Sequence, residues 1–324
     1  MKISEFKKDV KKITNYYKKL ISYTKNGRSV GSMNEWIIDN YYVISEQEKN
    51  IKDEYRFLET KYIKGKRKKL LYSLVYNSLK TNDFQIDITG VFEKLNKYQS
   101  ETKDYFSFFE INFIYLFIKI SLISELRVLC EKFDNRLVQK EQVEKSFNLI
   151  NRSIKENNDI EIEDYIEISN DIIESPYYIE QIHYKLKKLG DYSEDSFVKL
   201  NELLQKRGTS FKELIEQSHN DMANDNFIII NIFNSLKKIV KYEIEYLYKN
   251  ISFTEQLLVK EKAGIYDEMY DVNKMEYRVQ ITKNARALKM SEYDYTSSVI
   301  TLADENNKHV GWYLFKSPNY KRRA

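Results

Sequence analysis

The chain has 324 residues, enough for one large or two ordinary domains, and its 53 basic and 49 acidic residues leave a net charge of +4, a weak pointer to polyanions. A single cysteine, Cys130, excludes an internal disulfide and fits a reducing compartment. Eight glycines and two prolines are too few for a turn-rich sheet protein, so an all-α fold is expected, with little or no sheet.

Residues 2–25 alternate lysines with Ile, Phe, Val and Tyr at helical spacing, and Gly27 and Gly31 break the pattern. Ser32 and Glu35 have the spacing of a capping box. A helix follows with Trp36, Ile37, Asn40, Val43 and Ile44 on one stripe. KYIKGKRKK, residues 61–69, holds six Lys or Arg in nine and reads as a solvated loop around Gly65 leading into a helix at Leu70. Leu70–Leu79 is apolar and helical; TNDFQIDITG is a break, and Val91–Tyr98 opens another helix.

The longest apolar run is Tyr105–Cys130, predicted as a central helix over 105–131. Ile111–Ile118 falls short of the roughly 20 apolar residues that cross a bilayer. Glu110 falls near its first turn, where the helix dipole favours an anion. Lys119 and Arg127 must reach solvent or meet a partner. Phe133–Ile154 forms a further amphipathic helix. Glu156–Glu174 carries eight acidic residues and no basic one, and marks the expected lobe boundary.

Ser175-Pro176 is a helix start, with Ser as N-cap and Pro at the first position. Stops follow at Gly190 and Gly208, and capping-box spacings at Ser210/Glu213 and Ser252/Glu255. Phe211–Asn250 holds two helices or one bent one. Lys262–Arg278 contains a turn at Ala263-Gly264 before the helix from Ser291. HVGWYLF reads as a short extended piece. The expected organisation is a helical lobe over 1–155, an acidic connection over 156–175 and a second lobe over 176–324.

No Gly-rich phosphate loop, Cys/His metal spacing or G-x-S-x-G elbow occurs in the sequence. His183, His219 and His309 are scattered, and no carboxylate pair has the setting of a general acid. No metal or cofactor site is expected, nor binding of nucleic acid or anionic lipid above nonspecific levels. The N-terminus has no secretory apolar core, so a cytoplasmic chain is expected.

Four stretches resemble the N-terminal cytoplasmic region of the cyclic β-1,2-glucan synthases. NEWIIDNYYVISEQ is similar to the family's E-W-L-L-D-N-x-x-x-I-x-E-Q helix through Glu35, Trp36, Asp39, Asn40, Glu46 and Gln47. FEINFIYLFIKISLISELRVL resembles G-E-L-W-A-L-P-x-x-L-R-x-x-L-I-E-N-L-R. There Glu110, Leu122, Ile123, Leu126 and Arg127 match, while Asn112, Tyr115 and Lys119 replace the family's Trp, Pro and Arg. AGIYDEMYDVNKMEYR resembles D-P-A-G-V-Y-x-x-M-D-F-x-T-R-D-x-Y-R through Ala263, Gly264, Tyr266, Met269, Tyr277 and Arg278. HVGWYLF resembles H-V-G-Y-Y-L-I, and the blocks span about residues 30–315.

The resemblance implies a region that precedes the membrane helices, the UDP-glucose-dependent glucosyltransferase and a phosphorylase-like domain. The expected role is a non-catalytic helical module at the cytoplasmic face of the membrane. It would position the glucosyltransferase of the same polypeptide or complex, with the chain as a truncated product or an excised domain. The alternative is a free-standing helical interaction domain that has lost the enzyme. Glu35, Trp36, Asp39, Asn40, Glu110, Lys119, Arg127, Gly264, Tyr266, Met269, Tyr277 and Arg278 are expected to be architectural; the rival reading is a sugar or nucleotide site, with Trp36 stacked on a ring and the charges on hydroxyls or phosphates. Trp36 is expected to be buried, and Lys119 or Arg127 to pair with a carboxylate of the Glu35–Asp39 helix.

Overall fold

The structure, a computed structural model, describes residues 3–58, 65–155, 175–190, 194–239 and 244–316. Among these the chain forms thirteen α-helices and no strand, so the fold is all-α. The helices are α1 (Ile3–Lys25), α2 (Ser32–Phe57), α3 (Gly65–Lys80), α4 (Ile88–Thr102), α5 (Phe108–Ile111), α6 (Ile114–Lys155) and α7 (Pro176–Leu189). They continue with α8 (Glu194–Lys206), α9 (Phe211–Lys238), α10 (Ile244–Ile251), α11 (Phe253–Val259), α12 (Asp271–Leu288) and α13 (Glu292–Glu305).

The chain divides into two compact units. Unit 1 comprises residues 1–7, 43–123 and 232–324, and unit 2 comprises 8–42 and 124–231. They interleave along the sequence, whereas the sequence reading divides the chain at 156–175, of which 156–174 lie outside the described residues.

Unit 1 is built around α5 and the first part of α6. The apolar run there is interrupted rather than continuous. Ser107 caps α5, its hydroxyl accepting the Glu110 N–H while the Glu110 carboxylate accepts the Ser107 N–H. The chain turns at Asn112-Phe113 and restarts at Ile114. A central helix over 105–131 is therefore corrected: a capped single turn precedes a 42-residue helix that absorbs Phe133–Ile154 as well. No Gly or Pro separates the two apolar stretches, so nothing stops the helix between them. Ile114, Phe117, Ile118, Leu122 and Ile123 are fully buried on several faces of α6.

The basic run is also partly corrected. α3 begins at Gly65, four residues before the run ends. Arg67 pairs with Asp104 and Glu110. Lys68 is buried, with its ammonium 2.6 Å from the Tyr55 hydroxyl and over the Tyr55 and Phe113 rings. Two of its six cations therefore work inside the unit.

Unit 2 has its core between the second part of α6 and α7, α8 and α9, through residues such as Phe147, Ile150, Ile182, Leu186, Leu204 and Phe211. The start of α7 is as the sequence implies: the Ser175 hydroxyl accepts the Tyr178 N–H, and Pro176 follows at the first position. In α2 the cap differs. The Gly31 carbonyl accepts the Asn34 and Glu35 N–H groups, and Ser32 is already helical.

The extended reading of HVGWYLF is overturned. Val310 and Gly311 are helical and lead into a π-helical turn, Trp312–Lys316. An isolated extended piece would leave its backbone groups unpaired. Here the His309 carbonyl accepts the Trp312 N–H, Glu261 accepts the Val310 N–H, and the Asn284 amide donates to the Leu314 carbonyl.

Candidate functional site

Arg278 lies on α12 of unit 1 and is 2% exposed, too deep for an uncompensated charge. Its guanidinium holds two carboxylates at once. Nε and Nη2 donate to Glu255 of α11 at 2.9 and 2.8 Å. Nη1 and Nη2 donate to Glu245 of α10, both at 2.7 Å. This is the paired, planar geometry for which Arg is suited and Lys is not. The Tyr248 ring lies 4.1 Å from the guanidinium carbon, within cation–π range.

Tyr266 closes the cluster. Its ring is fully buried, and its hydroxyl donates to Glu255, 3.0 Å from each oxygen. Burial, with the Glu255 carboxylate next, pushes this phenol well above its usual range. Burial opposes the Arg278 charge, but the bonds to Glu255 and Glu245 outweigh it and hold the group protonated. Burial likewise pushes the Tyr248 phenol up to about 12. Arg278 therefore stays charged, and the Tyr266 and Tyr248 phenols stay protonated, through the neutral range.

A second cluster stands beside it. Glu261 is buried and accepts the Tyr266 N–H at 2.7 Å and the Val310 N–H at 3.2 Å. Its carboxylate also meets His309 Nδ1, with the nearer oxygen at 2.9 Å. His309 Nε2 lies 2.8 Å from the Tyr277 hydroxyl. A carboxylate only accepts, so Nδ1 carries the proton toward Glu261, and Nε2 shares a hydrogen bond with the phenol. Gly311 is required by this contact, since a Cβ there would lie 2.2 Å from the Tyr277 hydroxyl oxygen. Gly264, at φ +68°, makes the turn that brings Tyr266 back under Glu261.

Gly264, Tyr266, Tyr277 and Arg278 of the sequence-selected set thus come together with the His309–Gly311 block, and Met269 closes the turn through its N–H to the Tyr266 carbonyl. Glu110 is also in unit 1 and is held by Arg67, Nε to Oε1 at 2.6 Å. Lys119 pairs with Glu54, which is on α2 but nineteen residues beyond Glu35.

The remaining members belong to unit 2. Arg127 meets Asp9 of α1 at 3.2 Å and Glu131 of its own helix, rather than a carboxylate of α2. Asn40 is buried and donates to the Trp36 carbonyl. Burial of Trp36 is corrected: it is 36% exposed, and Glu35 and Asp39 are exposed beside it. The buried stripe of α2 runs through Ile37, Asn40, Ile44, Gln47 and Ile51, which turns Trp36 toward its edge.

Sequence reasoning missed Glu245, Glu255, Glu261 and His309 as partners. The usable signal was Arg278 on a helix close to Tyr266 and Tyr277, since an arginine buried there requires countercharges. Among the described residues no group of three or more His, Cys, Asp or Glu is placed to hold a metal ion, and no helix is long and apolar enough to cross a membrane.

No family model matches the chain. Over 303 residues it is 22% identical to the cyclic beta-(1,2)-glucan synthase NdvB of Rhizobium meliloti (strain 1021), a match over 91% of this chain and 10% of that protein. The chain therefore spans about a tenth of its relative's length, and it is a distant relative of a cyclic β-(1,2)-glucan synthase.

Proposed function

We propose that the chain is a non-catalytic helical module of a cyclic β-1,2-glucan synthase-like protein. It positions the glucosyltransferase part of the same polypeptide or complex at the cytoplasmic face of the membrane, and does not itself turn over UDP-glucose. One observation carries this reading. The matched residues Tyr266 and Arg278 spend their polar atoms on partners within unit 1, with Arg278 bonded to both Glu245 and Glu255. Residues engaged in this way favour a held shape over chemistry on a ligand.

The test is a chimera in which this chain replaces the aligned segment of NdvB, in cells lacking their own synthase. Glucan output is read against a variant with the segment deleted. The expected result is output above the deletion, lost again with Arg278→Ala in the chimera. Equal output from chimera and deletion, with both proteins made in equal amount, would contradict the positioning role. Transfer of glucose from UDP-glucose by the purified chain, abolished by one substitution in it, would contradict the non-catalytic part.

A further inference from the structure

The outer face of α1 has a use that neither the ion-pair clusters nor the positioning role absorbs. Phe6, Val10, Ile13, Tyr16 and Leu20 form its buried side. Opposite them lie Lys7, Lys11, Lys18 and Lys25, all exposed. At about 100° per residue these four fall within roughly 40° of one another around the axis, on a line roughly 27 Å long. Asn15 and Ser22 lie beside the line, Ser4 precedes it, Lys8 flanks it, and all are exposed.

The helix separates two kinds of lysine. Lys12 and Lys19, at one margin of this face, are paired with Glu131 and Asp134 of α6. The ion pairs of α1 lysines with described residues are those of Lys12 and Lys19, and the exposed acid of α1, Glu5, lies past the Lys12 margin and off the line of Lys7, Lys11, Lys18 and Lys25. A solvated helix usually mixes the two signs of charge on its exposed side.

We propose that the outer face of α1 docks on an anionic lipid surface, with its line of lysines against the lipid phosphates. Charge complementarity names the class of partner. The shape of the line favours a membrane over nucleic acid, because a straight row of charges touches a plane along its whole length. The composition agrees. The row is lysine alone, a flexible point charge suited to mobile headgroups, without the arginine forks that grip fixed phosphates. The apolar side chains nearest this line, Ile3 and Ile21, are half-buried at its margin, so the contact is adsorption without insertion and weakens with salt.

The test is co-sedimentation of the full chain with vesicles of phosphatidylcholine alone or mixed with phosphatidylglycerol, over a salt series. Binding is expected only to the mixed vesicles and falls as salt rises. Each lysine removed is expected to weaken it about fivefold, so K7Q/K11Q/K18Q/K25Q loses it by roughly several hundredfold. The matching Lys→Arg variant keeps binding, and so does K66Q/K69Q, which removes exposed lysines of α3. Equal binding to both vesicles, or unchanged binding by the four-glutamine variant, overturns the proposal. So does a duplex DNA that binds more tightly than the mixed vesicles and is lost with the same four lysines. Salt dependence of the unaltered chain reads the proposal without any variant, and chimera output does not enter it.

Discussion

Arg278 in unit 1 and Arg127 in unit 2 are the same side chain in contrasting surroundings. Arg278 is 2% exposed and holds two carboxylates in paired geometry. Arg127 is 24% exposed, and its partners Asp9 and Glu131 are 17% and 44% exposed. Water reaches Arg127 and both of its partners, whereas in the first set it reaches only Glu245, 27% exposed, and spares the bond between Arg278 and Glu255, which is 6% exposed. Residue type therefore says that a charge is present, while burial decides how much of the fold depends on it.

The largest expected effect follows from that contrast. Arg278→Ala leaves Glu255 buried without its countercharge and is expected to cost about 3–5 kcal/mol of unfolding free energy. Arg127→Ala, in partly solvated surroundings, is expected to cost about 1 kcal/mol or less. Urea denaturation of both variants measures the difference.

Glu292 sharpens the comparison with a buried group that has no such cation. It is the first residue of α13, and its carboxylate accepts the Phe108 N–H at 2.8 Å and the Thr282 hydroxyl at 2.7 Å. Burial pushes its pKa up to about 7; the two hydrogen bonds and Arg286 oppose this, and Glu110 adds to it. The folded chain then holds a proton that the unfolded chain releases near its ordinary value of 4.5. Stability from this group is therefore full below the unfolded value and lost as pH rises through about 7. The span amounts to about 3 kcal/mol at most. Melting between pH 5 and 8 is expected to show the loss, and Glu292→Gln to flatten it.

Gly311→Ala tests the second cluster. The new methyl meets the Tyr277 hydroxyl, so either the ring moves off His309 or the turn shifts. A loss of about 1–3 kcal/mol is expected. Tyr277→Phe removes the clashing oxygen, so the paired variant is expected to lose less than the sum of the two single changes.

The smallest effect belongs to unit 2. Lys12 and Glu131 meet at 2.7 Å with side chains 58% and 44% exposed. Lys12→Met is expected to change stability by less than about 1 kcal/mol, and salt to erase most of that. The Lys12 hydrogen bond holds the Glu131 pKa below its ordinary value. This small contribution is present above that ordinary value and fades as pH falls through the lowered one.

Local signals were legible in the sequence and distant partners were not. Ser175-Pro176 starts α7 because a cap depends on its own few residues. Ser252 and Glu255 show where that ends. The Ser252 hydroxyl accepts the Glu255 N–H at 3.1 Å, as the spacing implies, yet the Glu255 carboxylate turns to Arg278, 23 residues on. Helical spacing cannot choose between those two uses. His309 looked isolated because Glu261 is 48 residues away. Trp36 was misplaced by one helical step, since a stripe read from apolar residues alone does not say which edge it takes. The all-α class survived these errors because it rests on composition and caps summed over the chain.

The most direct measurement is a double-mutant cycle on the unfolding free energy of Arg278→Met and Glu255→Gln. If the buried cluster acts as one unit, Arg278→Met alone destabilises strongly, and adding Glu255→Gln recovers part of the loss because no unpaired buried carboxylate remains. A coupling energy above about 1 kcal/mol is the expected result. Additive losses, or an Arg278→Met variant as stable as the unaltered chain, would contradict the reading of Arg278 and its partners as architecture.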